Sequence, residues 1–134
     1  MSEHPNMVTA RQMLEAFNAG RADLITDMYA DDGVMHIAGK NRISGTFRGH
    51  AEIANGLNRQ FQVFASGTVQ VEMPPESILV SDDHTMIFFR ARAGRDGDMS
   101  VGTVVIAATV DPNGKYKAVW FLTDDQAQLD RLWS

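Results

Sequence analysis

Two stretches late in the chain are apolar on both of their alternating faces, and this constrains the fold more than any other feature. In Met99–Val110 one parity reads Val101, Thr103, Val105, Ala107, Thr109, and the other reads Gly102, Val104, Ile106, Ala108, Val110. In Lys115–Thr123, Tyr116, Ala118, Trp120 and Leu122 alternate with Val119 and Phe121. A solvated antiparallel sheet carries one polar face, and these stretches carry none. Both faces of the sheet therefore need a cover. Helices of the same chain can cover one. The other is expected to meet a second subunit in a twofold homodimer; the alternative cover is the C-terminal helix and loops.

The first half supplies the helices. Ala10, Met13, Leu14 and Phe17 fall on one helical stripe between Pro5 and Ala19, with Gly20 as a stop. A second short helix is expected over Arg21–Tyr29, and Asp31-Asp32-Gly33 breaks it. Val34–Ile37 reads as a strand. Ile53, Leu57, Phe61 and Phe64 recur at helical spacing in a third helix over His50–Phe64. Gly56 inside it costs about 1 kcal/mol relative to alanine. Strands follow over Thr68–Met73, Ile78–Val80, His84–Ala93, Met99–Val110 and Lys115–Thr123. Asp96-Gly97 and Asn113-Gly114 mark hairpin turns. Asp124 or Asp125 can cap a last helix whose apolar side is Leu129, Leu132 and Trp133. Helices first and hairpin-linked strands after them define an α+β class, and 134 residues suit one domain, 1–134.

Composition excludes several functions. The chain has no cysteine, so thiolate metal sites and cysteine nucleophiles are out. Its net charge of −5 argues against nucleic acid as a partner. No apolar run approaches a membrane span, so no membrane partner is expected. The stretch MSEHPNMVTARQ lacks the pattern of a signal peptide, and a cytoplasmic location is expected. The histidines show no metal-ligand spacing, so no metal is expected.

Several landmarks, in order, resemble the nuclear transport factor 2-like superfamily and its SnoaL-like branch. They are Ala16-Phe17-Asn18-Ala19-Gly20, Tyr29-Ala30-Asp31-Asp32, His36 with Gly39, Ser44-Gly45-Thr46-Phe47-Arg48-Gly49, and Asp125-Gln126-Ala127 with Asp130 and Trp133. The resemblance covers nearly the whole chain. It implies a cone-shaped, curved antiparallel sheet wrapped around three helices from the N-terminal half, a cystatin-like α+β barrel with an apolar pocket, and dimers. The same cone serves ketosteroid isomerase, polyketide cyclases, dehydratases and non-catalytic binding domains, so function has to be argued from the site.

Ketosteroid isomerase uses an aspartate base with a tyrosine and a protonated aspartate as donors. By resemblance those positions fall at or beside His36, at Met13 and near Ile106, so two of the three groups are missing and the third differs. His36 remains a candidate general base or acid, since imidazole titrates near neutrality; a rim histidine satisfied by backbone or water is the other reading. A late acidic residue in SnoaL-like cyclases makes Asp125 and Asp124 the acidic candidates, against a plain capping role. Trp120, Phe89, Phe17 and Phe61, with Met13, are the candidate ligand floor. Two functions follow. One is isomerisation, cyclisation or dehydration of a small apolar carbonyl compound by proton transfer, with no cofactor. The other is a non-catalytic small-molecule binding module.

Overall fold

The structure, a computed structural model, describes residues 3–134. Met1 and Ser2, the start of the stretch read for a leader, lie outside the described residues. Helix α1 (Pro5–Asn18) carries Ala10, Met13 and Leu14 inward and ends before Gly20, whose φ of +68° suits the turn. Helix α2 (Ala22–Asp27) is shorter than expected. Strand β1 (Tyr29–Ile37) begins five residues earlier than expected. Asp31-Asp32-Gly33 does not break that strand. It occupies the register shift between Tyr29 and Val34 where β1 runs beside the last strand.

Strand β2 (Gly45–Arg48) leads into helix α3 (Gly49–Phe64), whose buried stripe is Ile53, Gly56, Leu57, Gln60 and Val63. Strands β3 (Thr68–Val71), β4 (Ser77–Val80), β5 (His84–Arg95), β6 (Asp98–Val110) and β7 (Tyr116–Thr123) follow, and helix α4 (Gln126–Leu132) ends the chain. β3 stops two residues before Met73, which is exposed rather than on the core face.

The strands make one seven-stranded sheet in the order β2-β1-β7-β6-β5-β3, with β4 also on β5. Every pairing is antiparallel except β1 with β7, which is parallel. Parallel neighbours require a long crossover, and most of the molecule lies between β1 and β7. The curved sheet does not close, and among the described residues the three helices of the first half and the expected C-terminal helix accompany it.

The register resolves the two apolar parities. Ile78, Ile87, Ile106, Phe121 and Ile37 align across β4, β5, β6, β7 and β1 on the inner face. One residue along, Leu79, Met86, Ala107, Trp120 and His36 align on the outer face. The inner row packs in the core with α1 and α3. Among the described residues none covers the outer row: Leu79 is 59% exposed and Trp120 37%. Among the described residues no helix is long and apolar enough to cross a membrane.

Candidate functional site

Between the inner face of the sheet and the helices lies a cavity of about 120 Å³. Met13 and Phe17 of α1, Leu57 and Phe64 of α3, Phe89 of β5 and Trp133 after α4 are among its walls. The aromatic side is braced by stacking: Phe17 meets Phe61 at 5.4 Å, and Phe64 meets Trp133 at 5.4 Å between ring centroids. Phe61 supports Phe17 and does not line the cavity itself. Three members of the expected ligand floor, Met13, Phe17 and Phe89, thus face the cavity.

Trp120 does not. Val119 and Phe121 take the inner parity of β7, which turns the indole outward. His36 shares that outer position, because Met35 and Ile37 are the buried members of β1. The imidazole stacks on Trp120 at 5.3 Å with planes 9° apart, and its Nδ1 lies 3.3 Å from the Thr46 hydroxyl. These two residues share a second, more open depression on the outer face.

The two aspartates separate. Asp125 is the N-cap of α4, where its Oδ1 accepts from the Gln128 backbone N–H at 3.1 Å. Asp124 is exposed and leans over Gly102; a Cβ placed on that glycine would come 2.5 Å from Asp124 Oδ1. Gly102 lines the cavity, so Asp124 stands at its rim. The structure does not bring His36 together with either aspartate.

No Asp, Glu, His, Lys, Arg or Tyr is among the described residues that line the cavity. Tyr29 and Tyr116 pack edge to face at 5.9 Å elsewhere in the core. Burial pushes both phenols far above their usual range, and the neighbouring Tyr116 raises Tyr29 further, so they stay neutral. Among the described residues no cluster of three or more His, Asp or Glu can hold a metal ion.

Among the described residues, the hydroxyl and amide side chains on the wall are Asn41, Gln60, Ser100, Thr123 and Gln126. Four are engaged. Asn41 donates to Asp130 and accepts from the Ile43 N–H at 2.9 Å. Ser100 donates to Gln128, Thr123 donates to the Thr103 carbonyl, and Gln126 donates to Asp130. Gln60 makes no side-chain hydrogen bond among the described residues, is 4% exposed, and has its Oε1 buried without a partner. Leaving such a group unsatisfied costs about 1–3 kcal/mol. Sequence reasoning passed over Gln60. Its signal is a glutamine three residues after Leu57, on the apolar stripe of α3.

A curved sheet closed by helices over an apolar cavity defines a pocket fold. Residues 10–119 match the family model for the SnoaL-like domain. The chain belongs to that family. Solved structures agree on the fold. Bal32a, from a soil-derived mobile gene cassette, is 23% identical over 96% of each chain, with a TM-score of 0.80. A protein of unknown function with the nuclear transport factor 2-like fold, from Burkholderia pseudomallei, is 18% identical, with a TM-score of 0.82 over 98% of this chain and 99% of that one. TerC, co-crystallised with polyporic acid, is 19% identical, with a TM-score of 0.79 over 96% and 98%. No curated protein matches the chain.

Proposed function

We propose that this protein is a small-molecule binding module whose cavity takes a compact, largely apolar compound, and that it works as a twofold homodimer. The observation that carries the binding reading is the cavity wall. It is mostly apolar, and among the described residues no side chain on it can exchange a proton near neutral pH. The co-crystallisation of TerC with polyporic acid supports an organic occupant in a cavity of this architecture. The dimer reading rests on the outer row and its neighbour Leu122, 46% exposed. A contiguous apolar face of this kind is what a second copy of the same face buries.

A proton-transfer enzyme acting on a small carbonyl compound is the second reading, and Asp124 at the rim is the observation that favours it. Native mass spectrometry of the purified chain, followed by denaturing extraction, tests the first. The expected result is a dimer carrying an apolar compound that is released on unfolding. Turnover of carbonyl substrates that falls with Asp124→Asn would move the conclusion to the enzyme.

A further inference from the structure

We infer that Gln60 is the specificity-determining residue of the cavity, and that it selects a neutral, mostly apolar ligand bearing a hydroxyl group. The inference rests on the binding reading above and names the ligand chemistry.

Gln60 sits on the inward stripe of α3 between Leu57 and Val63, where packing alone favours an apolar side chain. It is more than nine-tenths buried and lines the cavity. Its carboxamide oxygen has no partner, although every other hydroxyl or amide side chain among the described residues on the wall has one. A chain that needed only a packed core would gain by placing leucine or methionine there. A buried carboxamide without partners is retained at a cost that an occupant can repay by completing its hydrogen bonds.

The chemistry of the occupant follows from the amide. It presents one strong acceptor and two N–H donors, and no protein hydrogen bond pins which end faces the cavity. A hydroxyl can accept from the NH₂ or donate to the oxygen, so it fits either orientation. A carboxylate is a poor fit, because no Lys, Arg or His is among the described residues on the wall to balance its charge. A pure hydrocarbon fills the space and leaves the amide unpaired.

The test compares p-cresol, p-xylene and p-toluate with the full chain by titration calorimetry. The first two differ by a hydroxyl in place of a methyl, at nearly constant shape. Wild type is expected to bind p-cresol roughly tenfold more tightly than p-xylene, and p-toluate more weakly than either. Gln60→Met, close in volume and without an amide, is expected to bring the p-cresol to p-xylene ratio to about one while p-xylene affinity holds or rises. Gln60→Leu serves as the second variant. The ligand-free unfolding temperature of either variant is expected to equal or exceed that of wild type, because an unpaired buried amide has been removed.

If p-xylene binds and wild type shows no hydroxyl preference, or the variants keep it, the assignment of Gln60 is overturned and the binding reading stands. A large fall in the unfolding temperature of both variants gives Gln60 a structural role and also overturns it. If none of the three probes binds, both the inference and the reading beneath it fail.

Discussion

Asp130 shows how one side chain can hold a wall of the cavity in place. Its Oδ1 accepts from the Lys40 backbone N–H at 3.0 Å, from Asn41 Nδ2 at 2.8 Å and from Gln126 Nε2 at 2.9 Å. These bonds tie α4 to the turn between β1 and β2, which brings Asn41 and Ile43 to the cavity. Gly39 in that turn has φ +98°, and a Cβ there would overlap the Gln126 and Asp130 side chains, so the close approach itself requires glycine. Burial acts to raise the Asp130 pKa, but the hydrogen bonds from Gln126, Lys40 and Asn41 outweigh it and hold the carboxyl below its ordinary value. A carboxyl depressed on folding stabilises fully above its unfolded pKa, and that contribution is lost as pH falls through the folded value. Asp130→Ala is therefore expected to cost about 2 kcal/mol at pH 7. The gap to wild type should shrink below about pH 4, as read by urea unfolding across pH. The sequence marks Asp130 as a family landmark; its three partners, 4 to 90 residues away, come only from the fold.

The pairing of α3 with β2 turns on Gly56. Helix propensity alone predicts that Gly56→Ala stabilises, by about 1 kcal/mol. The packing predicts the reverse. A Cβ at Gly56 would lie 2.8–2.9 Å from three ring atoms of Phe47, including Cγ near the ring's root. Phe47 would have to move off α3, against which it packs at the edge of the core. Gly56→Ala is expected to destabilise by about 1–2 kcal/mol, and Phe47→Leu in the same chain should recover part of that loss. A double-mutant cycle of chemical denaturation checks both. The helical stripe of α3 is legible from Ile53, Leu57, Phe61 and Phe64. The reason for a glycine inside it is not, because its partner belongs to another element.

For the molecule as a whole, the decisive surface is the convex side of the sheet. Leu79, Met86 and, across Ala107, Trp120 stand there in one register row that His36 closes at β1, with Leu122 two residues along β7. Leu122→Lys is expected to convert the proposed dimer to a monomer in sedimentation-velocity runs at micromolar concentration. The fold should stay intact, since Leu122 is 46% exposed and is not part of the buried core. A wild-type chain that sediments as a monomer at all concentrations would overturn the dimer.

Local pattern in this chain specified the class of the fold, the order of its elements, the stop at Gly20, and the fact that two strands are apolar on both sides. These are properties of neighbours in sequence: helical spacing, alternation and turn chemistry act over a few residues. Which apolar parity faces inward is another matter. In β7 the sets Trp120, Leu122 and Val119, Phe121 are equally apolar, so the strand itself holds no preference. The register with β1, β5 and β6 decided it and sent His36 and Trp120 to the outer face. The parallel pairing of β1 with β7, and the lack of a partner for Gln60, were likewise decided in three dimensions. Both depend on groups far apart in the chain, which only the packed sheet and helices bring within reach or keep apart.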